Sequence, residues 1–122
     1  MAETCIPLCQ SSDLKNSGEA VSFDVVYQGQ SCHAFAVRFQ NQVHAYLNRC
    51  THVAMEMDFQ LNRFFDSTGQ WLICATHGAM HEPRSGACVG GPCRGGLVKI
   101  DVTEYDGVVH WHTASQLKPV EF

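Results

Sequence analysis

Long apolar runs are missing from this sequence, and none of its 122 residues lie in a stretch near the ~20 residues that a membrane-spanning helix needs. Basic charge is also short: 8 Lys and Arg stand against 12 Asp and Glu, and a net charge of −4 argues against nucleic acid, which is held by clustered cations. The segment Met1-Ala2-Glu3-Thr4-Cys5-Ile6-Pro7 carries an acid and no basic stretch followed by an apolar one. A secretory signal is therefore not expected, and the cytoplasm is the expected compartment. No Gly-x-Gly-x-x-Gly fingerprint occurs, so no dinucleotide is bound by that route. Repeats and low-complexity tracts are absent too, and the length allows about one domain.

Cysteine, by contrast, is abundant. Seven in a chain of this kind is many, and the odd count rules out a complete disulfide framework without a leftover thiol. In a reducing compartment, clustered Cys and His are more often metal ligands than cystines.

The rest of the chain reads as short strands. Residues 1–20 form a lead-in, with one early strand expected near Cys5–Cys9. Val21–Val25 alternates apolar and polar residues, Gly29 marks a turn, and Cys32–Phe39 is the expected return. Asn41-Gln42 is a polar turn before Val43–Leu47. After Asp66–Gly69, another turn, Trp71–Cys74 is a short apolar strand. Arg84–Gly86 is a loop, and strands resume at Leu97–Val102 and Val108–His112 around Asp106-Gly107. Many short strands at close spacing predict an all-β fold, an antiparallel sandwich or barrel.

The chemistry-bearing pattern is Cys50-Thr51-His52, then the 21 residues Val53–Ile73, then Cys74-Ala75-Thr76-His77. Each half follows an expected strand, so two loops at one end of a β scaffold could each offer one thiolate and one imidazole, both good ligands for iron or zinc. Zinc is the alternative for these four residues, although zinc motifs usually pair Cys with Cys and His with His.

The pattern resembles the Rieske family signature, Cys-x-His followed by Cys-x-x-His-Gly, with Gly78 in the last place and a downstream Gly90-Gly91-Pro92. The resemblance spans about residues 43–102. It implies one [2Fe-2S] cluster, with Cys50 and Cys74 on one iron and His52 and His77 on the other. It also implies a β base (1–48 and 95–122), a cluster-binding subdomain (49–94), and a covering loop at Gly90–Pro92. High-potential members add a disulfide between the ligand loops; the corresponding positions here are Met55 and Thr76. Where those members place Ser and Tyr hydroxyls, this chain has Ala79 and His81. It is thus similar to the low-potential, ferredoxin-like branch, whose members are one-electron carriers between a flavin reductase and an oxygenase or similar acceptor. There is no room for a mononuclear-iron catalytic domain, so no catalysis of its own is expected. The second reading is a small subunit or accessory domain of a larger reductase, as in nitrite reductase; the third is a zinc-stabilised binding module.

The remaining residues have plainer expected roles. Cys88 and Cys93 are expected as thiols rather than as a bridge, and Cys5, Cys9 and Cys32 as small apolar residues. His33, His44, His110 and His112 are expected on solvent faces or in satisfied positions; for His81, four residues after His77, an electrostatic effect on the cluster is the lesser of two readings. Phe64, Phe65 and Trp71 are expected to pack the hairpin between the ligand loops. Arg49, Arg63, Arg84 and Arg94 balance four acids in 49–94, so the ligand-bearing part is neutral while the flanking parts are acidic; a solvated surface is the default reading of those arginines, and docking of an acidic partner the alternative.

Overall fold

The structure is a computed structural model that describes residues 5–48, 64–66, 68–73, 80–90, 96–114 and 117–119. Eleven strands form three antiparallel sheets, and no α-helix occurs among the described residues. One sheet has the order β1 (Cys5–Gln10), β10 (Val108–His112), β9 (Val102–Tyr105). The largest has the order β11 (Leu117–Pro119), β2 (Val21–Tyr27), β3 (Gln30–Phe39), β4 (Gln42–Leu47), β8 (Lys99–Ile100). The third joins β5 (Leu72–Ile73), β6 (Met80–His81) and β7 (Cys88–Gly90).

Successive strand side chains point to opposite faces, so the five-stranded sheet builds two cores. Phe35, Val37 and Tyr46 join Ala20, Phe64, Leu72 and Leu97 on one face. Ala34, Ala36, Ala45 and Leu47 face the other way, with Val109 and Trp111 of β10 and the partly buried Ile6, Leu8 and Cys9 of β1. The three-stranded β1-β10-β9 sheet thus covers one face and the β5–β7 unit the other. This two-sided burial explains why Ala34–Val37 and Ala45–Leu47 read as continuous apolar or small-residue runs.

Three hairpins turn on residue pairs with positive φ at both positions, the mirror-image geometry that suits strand twist: Gln28-Gly29, Gln40-Asn41 and Asp106-Gly107. The middle pair has no glycine, and hydrogen bonds hold it instead. Asn41 N donates to Asn16 Oδ1 at 2.8 Å, and Asn16 Nδ2 returns a bond to Asn41 Oδ1 at 2.9 Å. The turn therefore sits at Gln40-Asn41, with Gln42 already in β4.

The stretch Leu97–Val102 is not the single strand that its composition suggests. Leu97 and Val98 are irregular, their backbones bonding Gly86 O and Leu47 N. β8 then serves the large sheet and β9 the small one, with Asp101 as the break, its carbonyl accepting from His112 N at 2.9 Å. Phe64 packs beyond its own hairpin, stacked on Phe35 of β3 at 3.7 Å between centroids, and Phe65 stacks on Phe39 at 6.1 Å. Such a pair contributes about 0.5–1.5 kcal/mol beyond its buried area, so the aromatic pairs fasten the β5–β7 unit to the sheet.

Candidate metal centre

Two strand ends deliver the two halves of the Cys/His pattern. β4 ends at Leu47, whose N–H donates to Val98 O at 3.0 Å, and Asn48 N donates to His33 O at 2.9 Å. The chain reaches Cys50 two residues later. β5 ends at Ile73, held by a 2.7 Å bond from its N–H to Phe64 O, and Cys74 follows directly. Tyr46 and Leu72 share one core with Phe35 and Phe64, which ties the two strand ends together. β6 starts three residues after His77 and β7 pairs back on it, with Gly90 opposite Met80. The first residue of the expected covering loop is thereby placed beside the exit of the second ligand segment. Cys50, His52, Cys74, His77, Gly78, Gly91 and Pro92 themselves lie outside the described residues, as do Cys93, Met55, Thr76 and Ala79.

The β6–β7 connection, Glu82–Ala87, is the most heavily bonded turn of this end. The Glu82 carboxylate accepts from Arg84 N at 3.1 Å, Ser85 N at 3.0 Å, Arg84 Nε at 3.0 Å and Ser85 Oγ at 3.2 Å. Partial burial works to raise this carboxyl, but the bonds from Arg84 and Ser85 together hold it below the usual range. Gly86 closes the turn at φ +76°, and a Cβ there would lie 2.8 Å from Tyr46 Cε1, so both conformation and space require glycine. Tyr46 Oη donates to Pro83 O at 2.6 Å, and burial, with the Glu82 charge adding, pushes the phenol well above its ordinary value. The phenol stays a donor.

His81 is fully buried on β6, and its Nδ1 lies 3.1 Å from Gly86 O. Burial lowers its pKa against the opposing effect of that bond, so the ring is neutral and Nδ1–H is the donor. The ring braces the turn, a role that its position four residues after His77 does not suggest. His44 corrects another expectation: it is 7% exposed, and its Nε2 is buried with no hydrogen-bond partner. Cys88 does too, being disulfide-bonded rather than a thiol, with its partner outside the described residues. Cys9 and Cys32 pack against the second core as expected, but Cys5 is exposed.

Among the described residues, no group of three or more His, Cys, Asp and Glu side chains is placed to hold a metal. The donors that fit one are the two Cys/His pairs, each introduced by a strand end of this frame. Two thiolates and two neutral imidazoles match the chemistry of a mixed-ligand [2Fe-2S] centre.

Fold and frame define the class: a small all-β protein with a short three-stranded unit, β5–β7, packed on its main sheet. A sequence model of the Rieske [2Fe-2S] domain matches residues 4–106, and the chain belongs to that family. Its cofactor is one [2Fe-2S] cluster. A comparison with curated protein sequences returns no significant match. Among solved structures, the ferredoxin of carbazole 1,9a-dioxygenase from Nocardioides aromaticivorans IC177 is similar, at 24% identity and a TM-score of 0.70 over 88% of this chain and 96% of that one. The Sphingomonas yanoikuyae B1 ferredoxin is 25% identical, with a TM-score of 0.70 over 91% of this chain and 100% of its own. A chain of the reduced complex between oxygenase and ferredoxin in carbazole 1,9a-dioxygenase is 17% identical, with a TM-score of 0.70 over 88% of this chain and 27% of that one.

Proposed function

We propose that this chain is a one-electron carrier, accepting an electron from a flavin reductase and passing it to an oxygenase or a similar acceptor. The observation that carries the reading is the family match over residues 4–106. The fold likeness over nearly the whole length of two ferredoxins supports it, and favours a carrier over a reductase small subunit. A solved complex of oxygenase and ferredoxin is the kind of pairing this reading calls for, and electron-transfer encounters are typically small and transient.

In this reading Cys50 and Cys74 hold one iron and His52 and His77 the other, with Gly78, Gly90, Gly91 and Pro92 around them. The cluster, when bound, takes up and releases a single electron. The chain's own part is to fix the two ligand segments on β4 and β5 and to close the covering loop through β6 and β7. Residues 1–48 and 95–122 serve as base and 49–94 as the cluster-binding part. A cytoplasmic location belongs to the same reading, and cell fractionation tests it; no helix among the described residues is long and apolar enough to cross a membrane.

Iron, zinc and acid-labile sulfide analysis with EPR of the reduced protein is the primary test. His52→Ala or His77→Ala should abolish the Rieske absorption and EPR signals, whereas unchanged signals in both variants sink the ligand assignment. Reduction by a flavin-dependent ferredoxin reductase and reoxidation by an oxygenase support the carrier. Recovery only as a stable complex with a large reductase subunit overturns it.

A further inference from the structure

Across the core from the β5–β7 unit, the outer face of the three-stranded sheet carries a row of three side chains that the electron carrier does not use. Cys5 on β1 is paired in register with His112 on β10, the central strand, and Thr103 lies on β9 at its other side. Cys5 Sγ is 3.7 Å from His112 Nδ1 and 3.6 Å from Nε2. His112 Nε2 also meets the Thr103 hydroxyl in a short hydrogen bond. The thiol is exposed, and the ring is half-buried. Cross-strand pairing fixes all three positions, so the arrangement does not depend on a loop.

A thiol, an imidazole that can take its proton, and a hydroxyl that orients the imidazole are the parts of an activated nucleophile. With Nε2–H donating to Thr103 Oγ1, Nδ1 is the ring nitrogen left to accept, and Sγ lies about equally far from both nitrogens. Cys9, the next cysteine on the same strand, makes a contrast: it is half-buried against the core, and burial, with the Asp13 charge adding, pushes its thiol up. Buried thiols of that kind are inert.

We infer that Cys5 is a thiolation site, activated by His112 and Thr103, that takes small-molecule disulfides. In the exchange the Cys5 Sγ–H proton passes to His112 Nδ1, and Sγ attacks one sulfur of the incoming disulfide. The Cys5–sulfur bond forms as the old sulfur–sulfur bond breaks. The leaving thiolate takes the proton from the imidazolium and departs as a thiol. One mixed disulfide forms and one thiol is released, so electrons and atoms balance.

The test uses the cluster-loaded protein, kept anaerobic, with glutathione disulfide as the probe. Cys5 and Cys9 fall between Met1 and Lys15 on one tryptic peptide, so fragment spectra must separate them. Cys5 should be modified on the order of tenfold faster than Cys9, and on the order of tenfold faster than the cysteine in a peptide of residues 2–7. His112→Gln should bring Cys5 down to the peptide's rate while leaving the Cys9 rate and the visible spectrum unchanged. A wild-type Cys5 rate equal to the peptide's overturns the inference without recourse to any variant. So does a His112→Gln protein with unchanged spectrum and unchanged Cys5 rate.

Discussion

On β4, His44 shares the sheet face of Tyr46 and lies within electrostatic reach of Glu82 and Arg84 and of Lys99 on the adjoining β8. Burial lowers its pKa first, and the Lys99 and Arg84 charges lower it further against the opposing charge of Glu82. The folded pKa therefore lies below the unfolded value near 6.5, and on acidification the unfolded chain takes up a proton first. The stability that His44 contributes is complete above about pH 6.5 and is lost as pH falls from there toward its lowered folded value, at up to about 1.4 kcal/mol per pH unit. His44→Leu should flatten this acid limb, and it should cost little at neutral pH because it removes a buried nitrogen with no partner. Chemical unfolding between about pH 7.5 and about pH 5.5 measures the difference between the two proteins. Equal slopes would show that His44 is not a titrating group in this window.

At the scale of elements, the β6–β7 hairpin is shorter than the bonds that close it would suggest. Two strands of two and three residues meet across a turn tied to Glu82, Tyr46, His81 and Lys99 Nζ, which donates to Arg84 O at 3.0 Å. Removing the Glu82 carboxylate takes the charged acceptor from two backbone N–H groups, a loss of about 1.5–3 kcal/mol to the closed hairpin. Glu82→Ala should raise amide exchange at Gly86 and Glu82 about tenfold or more, while the β3 amides keep their protection. A uniform change across both sheets would mean that the turn unfolds only with the whole protein. How much of this was legible follows the range of the interactions. β2 and β10 appear in the local alternation of Val21–Val25 and Val108–His112, and the turn at Asp106-Gly107 in its own two residues, whereas β1 near Cys5–Cys9 lies in a lead-in with no sustained period. The break at Asp101 was not legible, because it depends on which of two sheets each half of the strand joins. Nor was the burial of His44, since a histidine between Val43 and Ala45 reads locally as a polar position on an open face, and what covers it is distant in the chain. The ligand pairs were the reverse case: their residue types and spacing stand out in the sequence, and the frame adds where each segment starts.

For the molecule as a whole, the quantity that joins fold, charge and cofactor is the reduction potential. Two imidazoles in place of two thiolates leave an oxidised core of charge +2 neutral, which places such centres at roughly −150 to +300 mV, far above all-Cys plant-type clusters. Position within that range depends on donors to the sulfurs and on the surrounding field. At the two places where high-potential members present hydroxyls, this chain has Ala79, which has no donor, and His81, whose Nδ1 donates to Gly86 O. The flanking parts also carry excess negative charge: residues 1–48 hold Lys15 and Arg38 against Glu3, Asp13, Glu19 and Asp24. Residues 95–122 hold Lys99 and Lys118 against Asp101, Glu104, Asp106 and Glu121. Both effects disfavour the added electron. A redox titration followed by circular dichroism should therefore place the midpoint in the lower half of the range, nearer about −150 mV than about +300 mV. Raising the ionic strength should shift it upward slightly, because salt screens the acidic surface and leaves short hydrogen bonds untouched. A midpoint in the upper half would mean that donors other than these two positions reach the sulfurs, and that the absence of both hydroxyls does not set the potential.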